Sequence, residues 1–458
     1  MQSNLFPPKI ISGFNLRVLI YMNPLVVDKV AKTFLYEKDS GFLYMRQLIN
    51  KLPPNWKYYI LVPKGVKREF FSKIHNIKLV RYDYSTSIHQ NRYHFNRNIL
   101  ADLFPYGTDI DVIINNQPEV TANLYAFFQN QRREKPIIIN YYHWIDCPES
   151  ATYGDELSGY IWRQIDGALN GTISMFHGEY AKRLFDKSIE SKICKTLDYR
   201  YGFFYPEATK FGDEPMELPK EKIILFNHRL NNSTGWKEVV EKCAQMHQAG
   251  YEFKLWLTDD QNLKEKEYLS QFQFIINKKV PFENYGYLMK NSCFSICNTQ
   301  GYATWNMAVM DCVLNGCLPI IPDNELYHYM FGRDGVYWRD LEQSIIIYLS
   351  APEGLNTALL SEIDLSKDSF NLEGFILEEI GSRVFDKDPA KYEEVKQYII
   401  DNGRVKKSAF VNEYWDFHAN SNFQLIRWKL LMEGIIDDTG SHETIYRTKL
   451  SLCVEEKE

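Results

Sequence analysis

The chain lacks an apolar stretch long enough to cross a bilayer. Its longest apolar region, Trp305 to Pro322, is broken by Asn306, Asp311 and Asn315 and falls short of the roughly 20 residues a spanning helix needs. No membrane span is expected. The N-terminus, MQSNLFPPKIISGFNL, has no basic segment followed by an apolar core, so no secretory signal is expected either. Cysteine is sparse, eight residues in 458 with no CxxC pair. That excludes a disulfide framework and suits reduced thiols in a cytoplasm. Cys293 and Cys297 sit at i and i+4 in an apolar run and read as buried thiols rather than metal ligands. Basic excess is missing as well: 53 Lys and Arg against 59 Asp and Glu leave a formal charge of −6. No global field therefore advertises a nucleic acid or an anionic membrane, although a local basic groove remains open. Internal repeats and low-complexity tracts are absent.

What is present is an ordinary globular composition, 45% hydrophobic and 24% charged, in a chain long enough for two large domains or about three smaller ones. Short apolar runs alternate with helix-like stretches: Leu16–Tyr21, Tyr58–Val62, Ile77–Tyr82, Asp111–Asn115, Pro136–Tyr142 and Gly167–Ser174. Such alternation predicts a parallel, doubly wound sheet. A segment rich in Pro, Gly and charge from Tyr205–Pro206 to Lys222 reads as a linker. The pattern then restarts with Lys222–Phe226, Phe253–Thr258, Phe272–Ile276, Cys293–Cys297 and Leu318–Pro322. The fold class is α/β, with two Rossmann-like halves facing across a cleft and helices from the Phe410–Gly434 region crossing back. The expected domains are 1–206, 207–409 and a helical segment 410–458 packing on the first. Ligands of such sheets bind beyond the carboxyl ends of the strands, so chemistry is sought in those loops.

The segment Lys222–Thr258 reads strand, loop, helix, strand. Arg229 in its loop and Lys237 at its helix start suit a diphosphate, since Arg grips phosphate oxygens bidentately and Lys adds a point charge. A solvated surface pair is the other reading. In Cys293–Gly332 a polar loop holding Gly301 and Tyr302 precedes a helix from about Trp305 to Asn315. The amides of Ala303, Thr304, Trp305 and Asn306 could take a phosphate, and Gly301 would let backbone approach closely. Asp311 on that helix could accept hydroxyl hydrogen bonds, or serve in helix packing.

These two units together, the Arg loop with "STGWKE" and the "MDCVLNGCLPIIPD" return, resemble the donor domain of GT-B-fold retaining glycosyltransferases. Within that class they look most like bacteriophage DNA alpha-glucosyltransferases acting on hydroxymethylcytosine. The likeness covers about a third of the chain at motif level. It implies a nucleotide-sugar donor, UDP-linked, bound by the C-terminal half, an acceptor on the N-terminal half, double-stranded DNA as partner, and a location in the cytoplasm of an infected host. It also implies transfer with retention and no essential metal or other cofactor. Asp311 matches the second of the family's two donor glutamates; the first has no acidic counterpart around Ala303–Asn306, so sugar recognition is altered or moved. Gly41, opening the helix of Glu37–Leu52, resembles the family's glycine loop against the donor.

His143 and Asp146, just past the strand Pro136–Tyr142, could orient an acceptor hydroxyl or stabilise developing positive charge. His143 matches the cleft histidine of the family, and a satisfied buried histidine is the alternative. The DxD at Asp109–Asp111 precedes its strand, at the edge opposite the ligand, and is rejected as a metal site; Asp259–Asp260 reads as solvated. For an extruded base, Tyr84, Tyr93 and His94 interleaved with Arg92 and Arg97 are the acceptor candidates. Lys64, Lys67, Arg68, Arg132, Arg133, Arg404, Lys406 and Lys407 are the basic ones. A polysaccharide, lipid or protein acceptor is the alternative, as is a catalytically silent nucleotide- or nucleic-acid-binding relative.

Overall fold

The computed structural model describes residues 16–24, 27–28, 33–34, 36, 39–105, 110–129, 136–150, 153, 159–230, 232–259, 263–299, 303–332, 336–352, 355–384, 389–402, 404–406, 428–430, 433, 435–438 and 445–448. The Val- and Ile-rich runs become strands buried on both faces, as helix-covered parallel sheets demand. β1 (Arg17–Tyr21), β2 (Lys57–Pro63), β3 (Ile77–Tyr82), β4 (Val112–Asn115), β5 (Ile137–Tyr142), β6 (Ile173–Phe176) and β7 (Tyr201–Phe203) form a seven-stranded sheet in the order β3-β2-β1-β4-β5-β6-β7. Every pairing in it is parallel. β8 (Ile223–Phe226), β9 (Lys254–Leu257), β10 (Ile275–Asn277), β11 (Phe294–Ile296), β12 (Pro319–Pro322) and β13 (Tyr337–Trp338) form a second parallel sheet, ordered β10-β9-β8-β11-β12-β13. In each sheet the order reverses direction beside its first strand, which opens a crevice at the carboxyl edge.

One strand lies elsewhere than expected. Gly167–Asn170 ends a helix, Tyr160–Asn170, and β6 starts only at Ile173. Gly167 is there for close packing: a Cβ would meet the Pro118 carbonyl oxygen at 2.7 Å. The strand's carboxyl end falls at Phe176 rather than Ser174, and the first residue past it is His177.

The first sheet is covered on one face by Val18, Ile20, Ile60, Ile114 and Ile139 with Phe42, Met45 and Leu48 of the helix Ser40–Asn50. Its other face carries Leu19, Tyr21, Ile113 and Ile138 against Leu124 and Phe128. The same core as Val18 holds Phe375, Ile376 and Ile380 of the helix Leu372–Val384, Val395 and Ile399 of Pro389–Asn402, and Trp428. The chain thus rejoins the N-terminal half by Leu372, ahead of residue 410, announced by the Phe370 amide donating to the Phe203 carbonyl at 2.9 Å. Most of residues 410–434 lie outside the described set, but Trp428 shows one anchor: its indole N–H donates to Asp111 at 2.7 Å, and the other Asp111 oxygen accepts from the Arg17 amide at 2.8 Å. Asp111 is fully buried and does structural work at the amino edge of the sheet.

The linker is pinned along its length. Gln47 exchanges two 2.9 Å hydrogen bonds with the backbone of Glu207, the Thr209 amide donates to Asp311 at 2.7 Å, and the Phe211 amide donates to Asn315 at 3.0 Å. Extended backbone that cannot bond to itself here borrows side chains from both halves.

Candidate active site

Two histidines end adjacent strands of the first sheet. His143 comes directly after β5 and His177 directly after β6, with their rings 5.3 Å apart. The helix after β1 supplies the third wall. Asp39 caps it by accepting from the Phe42 amide at 3.2 Å, Gly41 is buried in its first turn, and Ser40 Oγ lies 3.1 Å from His143 Nε2. One turn on, the Tyr44 ring lies 5.3 Å from His143 and 5.0 Å from His177. Burial, then the nearby Arg92 charge, pushes the His143 imidazolium down to about 3. Burial likewise holds His177 well below the ordinary histidine value. Both rings are neutral at pH 7.

The second sheet brings its own loops to the same place. Thr304 Oγ1 donates to the His143 carbonyl at 3.3 Å and lies 3.1 Å from His177 Nδ1, so the loop before the helix Met307–Leu314 touches both histidine loops. Burial, then the charges of Asp311 and Arg229, perturb the Tyr44 phenol, raising it and partly offsetting the rise respectively. The charges of Arg229, exposed after β8, and of Asp311 therefore reach the phenol against which the histidines pack. Asn306 caps the helix by accepting from the Val309 amide at 3.3 Å, while its amide donates to Tyr327 Oη at 2.7 Å and to Cys297 Sγ at 3.4 Å. Burial opposes ionisation of the Cys297 thiol, but the adjacent His228 and the Tyr327 hydroxyl hold it below its ordinary value. This buried cluster fixes where the helix begins.

Asp311 is half-buried, and burial pushes its carboxyl up to about 7 against the opposing Thr209 hydrogen bond. A carboxyl held above its unfolded value stabilises the fold fully below about pH 4, and that contribution fades as pH rises through about 7. We expect Asp311→Asn to flatten the fall in melting temperature between pH 5 and 8, about its titration window, as followed by scanning calorimetry.

The loop from Arg229 to the helix Trp236–Gln248 is closed by Thr234 Oγ1 donating to the Arg229 carbonyl at 2.7 Å and by the Leu230 amide donating to Asp259 at 2.9 Å. Asp259, read from sequence as solvated, is a loop brace. Gly235 turns the chain at φ +59°, where a Cβ would meet Asn298 Nδ2 at 2.4 Å and the Asn298 carbonyl oxygen at 2.9 Å. Asn298 in turn holds Gly235 and Glu238 at 3.0 and 2.9 Å. Gly235→Ala is expected to cost about 2–3 kcal/mol, from left-handed backbone strain plus displacement of Asn298, measured by urea denaturation.

The remaining sequence candidates separate. Lys237 is exposed and its ammonium lies 5.4 Å from the Trp236 ring and 5.9 Å from the Tyr268 ring, so in this conformation it rests on aromatic faces. Asp146 is not available to a reacting group: it is 1% exposed and its oxygens accept from Ser150 Oγ at 2.7 Å and the Ile161 amide at 3.2 Å. It ties its loop to the helix Tyr160–Asn170, a correction to its expected role beside the acceptor. Gly301 and Tyr302 lie outside the described residues, as do Arg132 and Arg133.

Among the acceptor candidates, Tyr84 packs edge-on to Phe34 at 5.8 Å and His94 stacks on Tyr82 at 5.9 Å. Arg97 is exposed at the start of the helix Arg97–Leu103. Arg92 pairs with Glu119 at 3.0 Å and covers the Trp144 ring at 4.2 Å. Tyr93 stacks on Tyr160 at 5.1 Å and carries the Arg163 guanidinium at 4.6 Å on its ring. Arg92, Tyr93, Trp144, Tyr160 and Arg163 thus build one column beside His143. Arg68 is committed to the His75 and Ile77 carbonyls, and Lys64 to Asp83.

Sequence reasoning missed His177, Tyr44 and Glu119. His177 carries the same signal as His143, a histidine directly after an apolar run, but ending the strand at Ser174 leaves it inside the next segment. Among the described residues no group of three or more His, Cys, Asp or Glu could hold a metal ion, and no helix is long and apolar enough to cross a membrane.

Two facing parallel-sheet domains with a returning C-terminal helix pair define the GT-B fold, and comparison with solved structures agrees. Anabaena HepE, solved with UDP and glucose, superposes with a TM-score of 0.53 at 10% identity, covering 76% of this chain and 93% of its own. Sucrose-phosphate synthase from Thermosynechococcus elongatus gives 0.53 at 11% identity, covering 81% and 99%. A UDP-forming trehalose-phosphate synthase from Burkholderia xenovorans, in complex with glucose-6-phosphate, gives 0.50 at 10%, covering 76% and 95%. No family model and no curated protein sequence matches the chain.

Proposed function

We propose that this protein is a glycosyltransferase that moves a sugar from a nucleotide donor, UDP-linked, to a hydroxylated pyrimidine base in DNA, with retention and without an essential metal. The observation that carries the donor half is the meeting of loops from the two sheets: Thr304, ahead of the helix that bears Asp311, contacts both His143 and His177, whose rings pack on Tyr44, and the charges of Arg229 and Asp311 reach that same phenol. A cation, a carboxylate and two neutral imidazoles at the carboxyl edges of two facing sheets suit a sugar diphosphate. The neighbours solved with UDP and glucose, or described as UDP-forming, support the same donor class.

In the proposed reaction the bond from the anomeric carbon to the diphosphate oxygen breaks as the acceptor oxygen bonds on the same face. The acceptor proton passes to the departing phosphate, so no protein base is required, in keeping with the commitment of Asp146 elsewhere. Arg229 stabilises the departing charge. Lys237 would join it only by leaving the Trp236 and Tyr268 rings. The acceptor reading rests on the motif likeness and on the Arg92–Trp144–Tyr160–Tyr93–Arg163 column, since aromatic faces flanked by guanidinium groups hold unstacked bases.

The test is to incubate the protein with nucleotide sugars and with hydroxymethylated or unmodified DNA, digest the DNA and weigh its nucleosides. A gain of one sugar on the modified pyrimidine is the expected result. Transfer to no DNA, with clear nucleotide-sugar binding, moves the acceptor to a glycan, lipid or protein. Absence of nucleotide-sugar binding overturns the enzyme reading. DNA binding should weaken at least tenfold between 50 and 200 mM salt, about the response of a site contacting a few phosphates; a salt-independent affinity would argue against DNA.

A further inference from the structure

His177 is 1% exposed, yet among the described residues its Nε2 has no hydrogen-bond partner. Its protonation state is set by its neighbour. Thr304 has a single hydroxyl hydrogen, and the His143 carbonyl, which can only accept, takes it at 3.3 Å. With that hydrogen on the carbonyl, His177 Nδ1, 3.1 Å from the same oxygen, is assigned as the donor in that contact. A neutral imidazole carries one proton, so Nε2 is left as a bare lone pair. A buried acceptor without a donor is costly, by an amount comparable to a lost hydrogen bond.

The surroundings say what that donor is. The ring is walled by Tyr44 at 5.0 Å, Tyr141 at 5.3 Å and His143 at 5.3 Å. The Tyr141 hydroxyl and His143 Nδ1 are likewise buried and without partners among the described residues. Both imidazoles are neutral, and neither makes an ion pair within the described residues. An aromatic-walled site with several unused polar atoms suits the hydroxyls of a sugar ring, which can supply the missing donors.

We propose that His177 Nε2 accepts a hydrogen bond from one hydroxyl of the transferred sugar and thereby selects a sugar bearing that hydroxyl. This rests on the nucleotide-sugar reading above. Because Nε2 needs a donor, a fluorine in place of the hydroxyl cannot serve, so deoxy and deoxyfluoro analogues are penalised alike.

The experiment takes the best-bound of a set of UDP-hexoses, together with analogues singly deoxygenated or singly fluorinated at each hydroxyl. Their binding is measured by calorimetry to the wild type and to His177→Asn, with UDP alone as control. Asparagine keeps an amide N–H near the Nδ1 position for Thr304 and removes Nε2; an unchanged melting temperature shows that the contact across the cleft survives. The expected result is a loss of about tenfold or more at one ring position, equal for deoxy and deoxyfluoro, that vanishes in His177→Asn while UDP affinity holds. Identical penalties in both proteins overturn the inference and leave the donor reading standing. A penalty for deoxy but not deoxyfluoro at the His177-dependent position also overturns it, because Nε2 would then be a donor. If no UDP-hexose binds at all, the UDP-hexose donor reading fails, and the inference fails with it.

Discussion

Arg229→Ala is expected to lower kcat/KM for sugar transfer by about 100- to 1000-fold, the usual consequence of removing a group aimed at charge that develops on a leaving oxygen. Arg229 is the second sheet's cation whose charge reaches Tyr44, on a loop fixed by Thr234 and Asp259. The side chain is exposed and outside the apolar core, and a melting temperature measured on the same sample separates lost chemistry from lost stability. The loss is therefore read as chemistry and diphosphate affinity, not as unfolding. Lys237→Ala is the internal control. Its ammonium rests against aromatic rings, a contact of about 0.5–1 kcal/mol at an exposed site, so a smaller loss is expected. Steady-state kinetics on both variants checks the ranking. Equal losses would show that Lys237 leaves its rings to join Arg229 on the diphosphate.

Asp111→Ala should produce the largest stability change. The carboxylate lies fully buried at the amino edge of β4 and ties β1 through the Arg17 amide to the returning C-terminal segment through Trp428. Alanine strands both donors, at about 1–3 kcal/mol each. Out of a total of about 5–15 kcal/mol, that is enough to move the urea midpoint sharply while leaving every residue around Tyr44 in place. A shift under about 1 kcal/mol would mean that water replaces the carboxylate.

The same residue shows what a motif can and cannot tell. The Asp109–Asp111 triplet precedes its strand, which argues against a metal site, and Asp111 indeed faces away from the ligand edge; Asp109 lies outside the described residues. Its structural partner, Trp428, stands 317 positions away in sequence, a distance no local pattern spans. Asp146 departs from its sequence reading for a related reason. Position after a strand places it correctly at the ligand edge, but only packing reveals that Ser150 and Ile161 already occupy it. His177 is hidden by a shift in strand boundary: Gly167–Asn170 belongs to the preceding helix and the strand runs on to Phe176.

The sequence by itself determined the alternation of apolar runs and amphipathic helices, hence two parallel sheets, and it determined the chemistry available at their carboxyl edges: Arg229, Asp311, His143. These are local properties, set by period and by residue type at a strand's end. Tertiary structure alone decided which of those side chains are already spoken for and which meet across the halves. Tyr44, seen only as one apolar position in a helix, became the point where both sheets converge. Burial and hydrogen bonding depend on what the folded chain brings alongside, and those neighbours come from hundreds of residues away.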